Sequence, residues 1–246
     1  MWYWTAPMEQ GSVYADKTDF RLSKAVTGED IAQLDPEELQ ELLDQRKISA
    51  ECYALVESID QVAGQLARLK DADVPVLWRP LHEAGGGWYW WGSDGADAYQ
   101  WLWRLLYDRL TAYHGLNNLL WVWNGQSRDY YVGQAYYDIA SIDVYLRADA
   151  EYGSRYGQFQ WLYALTEGEK LLALSECSRI PDVDAIFRDN AVWSFFGLWY
   201  GDYLVGQDGT LNGKYISTDD LIKYYNSDGT LSLSEYIKMS QKSLAN

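Results

Sequence analysis

The chain has 246 residues, a formal net charge of −16 at pH 7 and an apolar fraction of 48%. This length suits one large domain, and the apolar fraction is enough for a sizeable core. Nucleic acids and anionic membranes attract basic surfaces, so the acidic balance argues against both as partners. No apolar stretch reaches the length of a membrane span. A neutral polymer is compatible with such a surface.

Short apolar runs alternate with helical patterns along the chain. The predicted helices cover residues 36–71, 96–114, 158–169, 183–188 and 219–225, with a last helix from 234. The predicted strands cover residues 74–81, 119–123, 139–145, 171–175 and 192–199. This alternation predicts an α/β fold with a parallel sheet and crossover helices. Because no segment of the sequence resembles an interdomain linker, we expect a single catalytic domain over residues 1–246.

A parallel sheet of this kind either stays open and doubly wound or closes into a barrel. An open sheet usually has a Gly-rich phosphate loop after an early strand. Gly85, Gly86 and Gly87 follow a strand, but the Lys-Ser/Thr pair and the GxGxxG spacing are both absent. Polar residues collect instead at the ends of several strands. This distribution favours a (β/α) barrel.

Aromatic residues are abundant, with 13 Trp and 21 Tyr. Both side chains combine an apolar ring face with a polar group, which suits the flat faces of pyranose rings. An aromatic-rich core is the alternative explanation. The composition therefore favours a carbohydrate ligand without identifying it.

Glu83 is the first candidate catalytic residue. It follows a predicted strand and the segment Arg79-Pro80-Leu81-His82, and it precedes an aromatic loop at 84–92. A carboxyl group at a strand end beside aromatic rings is partly desolvated, which favours the protonated form that a general acid needs. A structural ion pair with Arg79 is the alternative.

Glu176 is the second candidate, because it follows the apolar run 171–175. If that run is a buried strand, Glu176 lies at its exit, where barrel enzymes place catalytic groups. A loop glutamate that begins a turn is the alternative. Two carboxyl groups about 5–5.5 Å apart are what retaining glycoside hydrolysis requires. The neighbouring predicted strand ends supply further polar and aromatic side chains: Asn124, Asp143, Tyr145 and Trp199.

Other chemistries find little support in the sequence. His82 and His114 are far apart and form no ligand pattern, so we expect no catalytic metal. Cys52 and Cys177 lack metal or redox spacing and are predicted to be free thiols. No Gly-x-Ser-x-Gly motif is present, which disfavours a serine hydrolase.

The segments 78–83 (Trp-Arg-Pro-Leu-His-Glu) and 86–92 (Gly-Gly-Trp-Tyr-Trp-Trp-Gly) resemble glycoside hydrolase family 26, which is best known for endo-β-1,4-mannanases. Further similar segments follow in the family's order and extend the resemblance over nearly the whole chain. They are residues 118–123, 137–145, 174–176 and 195–202.

The resemblance implies a retaining mechanism on a (β/α)8 barrel. Glu83 would be the acid/base at the end of the fourth strand, and Glu176 the nucleophile at the end of the seventh. His82 would lie near the nucleophile, and Tyr145 would orient Glu176. The other implied substrate-binding residues are Trp88, Trp91, Asn124 and Trp199. No cofactor is implied, the expected partner is β-mannan or manno-oligosaccharide, and the expected location is extracellular.

The beginning of the chain departs from the family pattern. Residues 1–7 resemble the family's third strand and its exit loop, so the strand count is six where a complete barrel has eight. We therefore expect an incomplete barrel that lacks the first two βα units. Such a sheet exposes two edges, which favours association with other chains.

Two other functions remain open. The same two glutamates could cleave mixed-linkage β-glucan or β-1,3-xylan, because no residue identifies the groups that contact the sugar 2-hydroxyl. Alternatively, an incomplete barrel could bind carbohydrate without catalysis. The presence of both glutamates argues against that second alternative.

Overall fold

The computed structural model describes residues 1–8 and 11–243. The chain divides into two compact units. The first comprises residues 1–141 and 169–171, and the second comprises residues 142–168 and the chain from 172 onward. That the whole chain acts as one catalytic domain stays a prediction.

The described part of the first unit is mainly helical. Its helices are α1 (Leu22–Ala25), α2 (Pro36–Asp44), α3 (Ala50–Asp71), α4 (Trp90–Ser93) and α5 (Ala96–Asp108). The single helix predicted over 36–71 is wrong, since α2 and α3 are separate. Arg46 leaves the helical region with a φ of 57°, and the Ser49 side chain accepts from the Cys52 backbone N–H at 3.0 Å, which starts α3.

Three strands contribute to the first unit, and they pair in parallel. They are β1 (Val76–Trp78), β2 (Leu119–Trp123) and the start of β3 (Ile139–Val144). Val76 lies opposite Leu119, and Val122 lies opposite Ile139. Strand β1 is shorter than the predicted 74–81 and lies between Pro75 and Pro80, neither of which has an N–H for pairing.

Residues 1–8 form no strand, so the described chain has five strands and the sixth one counted from the sequence is a wrong prediction. Side-chain packing, and not strand pairing, holds this segment in place. The Trp4 side chain is 2% exposed, and its Nε1 donates to Ser58 Oγ at 2.7 Å. Trp90 Nε1 in turn donates to the Trp4 carbonyl at 2.7 Å. The segment is therefore fixed by helix α3 and helix α4.

Helix α5 ends before the predicted residue 114, in a π-helical turn over Arg109–Tyr113. Arg109 is 0% exposed, and its Nε and Nη2 donate to the two carboxylate oxygens of Asp60 at 2.6 and 2.7 Å. His114 Nε2 also lies 2.7 Å from Asp60 Oδ1. This ion pair ties the end of α5 to the middle of α3.

The second unit continues the alternation of helices and strands. It contains the end of β3, α6 (Tyr156–Leu165), β4 (Leu171–Cys177, from residue 172), α7 (Val183–Arg188), β5 (Phe196–Leu198), α8 (Thr218–Tyr225) and α9 (Leu233–Ser243). Strands β4 and β5 are parallel, with Leu174 opposite Phe196. The strand order is β1-β2-β3-β4-β5. The α/β class is confirmed, and β4 is longer than the predicted 171–175, so Glu176 lies within it.

None of the helices in the described part of the chain is both long and apolar enough to span a membrane.

Candidate active site

The Glu83 backbone has an uncommon conformation that neighbouring strand β2 holds in place. Leu81 and Glu83 have φ values of 51° and 54°, in the left-handed region that few non-glycine residues occupy. The Glu83 N–H donates to the Asn124 carbonyl at 2.8 Å and to Asn124 Oδ1 at 2.9 Å. Asn124 directly follows β2 and is 0% exposed. Its side chain therefore fixes the position of Glu83.

Gln126, which was not predicted as a site residue, contacts the Glu83 carboxyl group directly. Its Nε2 donates to Glu83 Oε1 at 3.0 Å, and its own φ of 56° lies in the left-handed region. The signal was available, because an amide two residues after Asn124 lies at the same strand end. Gln126 orients one oxygen of the candidate acid/base.

The Trp-Trp-Gly motif supports the turn that carries Glu83. Trp91 is 0% exposed, and its Nε1 donates to the His82 carbonyl at 2.9 Å. Gly92 lies so close to this turn that an added Cβ would be 2.1 Å from the Ala84 carbonyl oxygen. The glycine is therefore required by close backbone packing.

His82 is held as a neutral imidazole. Its side chain is 1% exposed, and burial, helped by the nearby charge of Arg79, lowers the pKa of His82 to about 3. Its Nδ1 has no hydrogen-bond partner among the described residues. His82, Trp91 and Asn124 are all buried, with exposures of 1%, 0% and 0%. These three residues support the Glu83 turn, and their assignment as substrate-binding residues stays a prediction.

Trp88 differs from these residues, because it is 46% exposed. Its ring lies over Gly86, where an added Cβ would approach the ring to 2.0 Å. The backbone thus supports one part of the indole while much of its surface stays open. Its assignment as a sugar contact stays a prediction with which this exposure agrees.

In the second unit, Glu176 is buried near the end of β4, with 6% exposure. The pairing of β4 with β5 shifts register between Leu174 and Cys177, and such bulges redirect side chains next to active sites. The Tyr145 hydroxyl donates to Glu176 Oε2 at 2.6 Å. A bond this short to a carboxylate is charge-assisted and strongly directional. Tyr145 therefore holds the carboxylate in one orientation.

Trp199 follows β5 and is tied to the same strand end. Its backbone N–H donates to the Cys177 carbonyl at 2.9 Å. Its ring meets that of Tyr145 edge-on, at 6.4 Å between centroids and 85° between planes. The structure thus brings Tyr145, Glu176 and Trp199 together, as the sequence predicts. Burial raises the pKa of Cys177 to about 12, so its thiol stays protonated and unreactive.

Comparison with known proteins identifies the family. The profile of "Glycosyl hydrolase family 26" matches residues 27–223. The chain belongs to glycosyl hydrolase family 26. Membership of this family agrees with the barrel fold expected from the sequence. The described residues supply five strands of that barrel.

Two curated mannanases match this chain almost from end to end. Mannan endo-1,4-beta-mannosidase of Thermothelomyces thermophilus is 37% identical over 244 residues, which are 96% of this chain and 45% of the relative. Mannan endo-1,4-beta-mannosidase B of Piromyces sp is 30% identical over 236 residues, 95% of this chain and 36% of the relative. The chain thus spans less than half the length of these curated relatives.

Solved structures of beta-mannanases are also similar to this chain. The Podospora anserina GH26-CBM35 beta-(1,4)-mannanase has a TM-score of 0.77 and 36% identity, and the match covers 95% of this chain and 49% of that one. A beta-mannanase from a symbiotic protist of the termite Reticulitermes speratus, complexed with gluco-manno-oligosaccharide, has a TM-score of 0.79 and 30% identity. That match covers 95% of this chain and 66% of the other. These likenesses confirm the α/β barrel class.

Proposed function

We propose that this chain hydrolyses internal β-1,4-mannosidic bonds in mannan, glucomannan or galactomannan. The observation that carries the proposal is the buried Glu176 carboxylate, oriented by the Tyr145 hydroxyl at 2.6 Å beside the ring of Trp199. The names of the two curated relatives support mannan as the substrate class. A nucleophile needs this fixed orientation, whereas a binding site for a neutral sugar does not need a buried carboxylate.

The reaction is a double displacement on two glutamates. Protonated Glu83 gives its proton to the glycosidic oxygen while the Glu176 carboxylate attacks the anomeric carbon. The leaving sugar departs as an alcohol, and an ester links the remaining sugar to Glu176. Water then gives a proton to Glu83 and attacks the same carbon, which releases Glu176 and a product of retained configuration.

Supporting residues divide between orientation and sugar contact. Asn124 and Gln126 hold the backbone and one carboxyl oxygen of Glu83. Trp199 provides the floor under the sugar whose bond is cleaved, where its ring face stabilises developing positive charge. Trp88 offers an exposed ring for a neighbouring sugar. The partner is the neutral polysaccharide, and because that polymer lies outside cells, an extracellular location is part of the proposal.

Reducing-sugar release from β-mannan, lichenan and β-1,3-xylan tests the reaction and the substrate together. We expect release from mannan, with a fall of at least a thousandfold in Glu83→Ala and Glu176→Ala, since each removes a reacting group. Glu169→Ala, at an exposed glutamate, is the matched control and keeps full activity. Preferred release from lichenan or xylan would replace mannan as the substrate. Fluorescence changes with mannohexaose but no product would indicate binding without catalysis.

A further inference from the structure

The hydrogen bond between Tyr145 and Glu176 depends on the orientation of the Tyr145 ring. Tyr145 lies just beyond the end of β3, and it is 37% exposed. A partly exposed aromatic side chain at a strand end has other rotamers available. A bond of 2.6 Å tolerates little rotation of the ring, because hydrogen bonds weaken steeply away from linear geometry. Ring neighbours are therefore needed to select one rotamer.

Tyr203 is such a neighbour. Its ring centroid lies 5.2 Å from that of Tyr145, with 54° between the planes. Tyr203 is in turn packed against Tyr215, at 4.7 Å and 50°. Burial, followed by the nearby Tyr215 and Asp202, raises the pKa of Tyr203, so its hydroxyl stays neutral. Three tyrosine rings thus form a continuous row that ends at the Glu176 carboxylate.

The segment that carries Tyr203 and Tyr215 has its own internal structure. Gly201 has a φ of 65°, and its carbonyl accepts from the Val205 N–H at 2.9 Å. Val205 and Leu211 form an antiparallel bridge, and Asn212 Nδ2 donates to the Asp202 carbonyl at 2.8 Å. These bonds close a compact turn. The backbone that carries Tyr203 is therefore held by its own hydrogen bonds.

We propose that Tyr203 is a positioning residue for the nucleophile. Its ring, backed by Tyr215, selects the rotamer of Tyr145 that donates to Glu176. This role rests on the proposed function of Glu176. It extends the set of residues that position Glu176 to one that lies outside the strands. The ring supplies the effect, and the Tyr203 hydroxyl contributes nothing to it.

Kinetics on β-mannan test this role with Tyr203→Ala, Tyr203→Phe, Tyr145→Phe and the double variant Tyr145→Phe/Tyr203→Ala. Loss of a charge-assisted bond in the transition state predicts a roughly ten- to hundredfold fall in kcat for Tyr203→Ala, with KM changed less than about threefold. Tyr203→Phe keeps the ring and stays within about twofold of the parent. The double variant is no slower than Tyr145→Phe, because both changes remove the same bond. Tyr236→Ala, at an exposed tyrosine of α9, controls for loss of a tyrosine.

A crystal structure of Tyr203→Ala tests the role independently of activity. We expect the Tyr145 hydroxyl to move beyond hydrogen-bond distance of Glu176, roughly 3.5 Å. A retained bond would overturn the proposal, even in an inactive protein. Additive losses in the double variant, or a rise in KM with kcat unchanged, would also overturn it and would mark Tyr203 as a sugar contact. An inactive parent with the expected ring movement would refute the proposed reaction and leave the positioning role supported.

Discussion

The ion pair between Arg109 and Asp60 is expected to be a main determinant of stability in the first unit. The guanidinium is fully buried, and Asp60 receives two of its N–H groups. Arg109 Nη1 also donates to the Leu34 carbonyl at 2.9 Å. The centre of the Tyr113 ring lies 4.1 Å from the Arg109 guanidinium carbon. Asp60→Ala leaves these contacts but removes the balancing charge. An uncompensated buried cation costs about 3–5 kcal/mol.

Urea unfolding followed by circular dichroism measures this cost, and thermal unfolding should show a fall in Tm of about 6–20 °C. Glu57→Ala, at an exposed acid of the same helix, is the matched control and should change stability by about 0.5 kcal/mol or less. Replacing both partners, as Asp60→Leu with Arg109→Met, should recover most of the loss, because no charge then remains buried. A loss below about 1 kcal/mol in Asp60→Ala would refute the reasoning.

Three further predictions concern the buried surroundings of the two glutamates. Gly92→Ala should lower stability by about 2 kcal/mol or more in urea unfolding, because its Cβ would collide with the Ala84 carbonyl; an unchanged midpoint would contradict this packing. His82 should contribute a loss of stability of about 1.4 kcal/mol per pH unit as pH drops from about 6.5 towards 3, because unfolding releases it from burial and lets it bind a proton. His82→Asn should remove that part of the pH dependence, and an identical slope would argue against a neutral buried His82. Cys177 should resist alkylation by iodoacetamide at pH 8 in the native protein and react only after unfolding, which mass spectrometry of its peptide would reveal.

The strands that carry the candidate site could be predicted because their apolar runs are distinctive. Strand β2 matches its predicted bounds of 119–123, and α7 matches 183–188. The break between α2 and α3 was missed, because the N-cap signal of Ser49, which starts a new helix, was not recognised. The N-terminal strand was expected by resemblance, but Trp2 and Trp4 pack against other rings.

Side-chain roles were harder to predict than strand ends. The structure places Tyr145, Glu176 and Trp199 at strand ends, whereas Glu83 lies five residues beyond the end of β1. Gln126 was missed because a loop amide resembles any solvated residue, although its place two residues after Asn124, at the same strand end, was visible in the sequence. Contacts such as that of Tyr203 with Tyr145 join residues far apart in the chain, and no local pattern encodes them.

Trapping the glycosyl–enzyme ester tests the central claim most directly. A mannoside fluorinated at carbon two, with a good leaving group, slows breakdown of the ester so that it accumulates. After digestion, mass spectrometry should find one fluoromannosyl group on the peptide that contains Glu176, and none in Glu176→Ala. A label on another residue, or no label on an intact and folded chain, would contradict the two-glutamate mechanism.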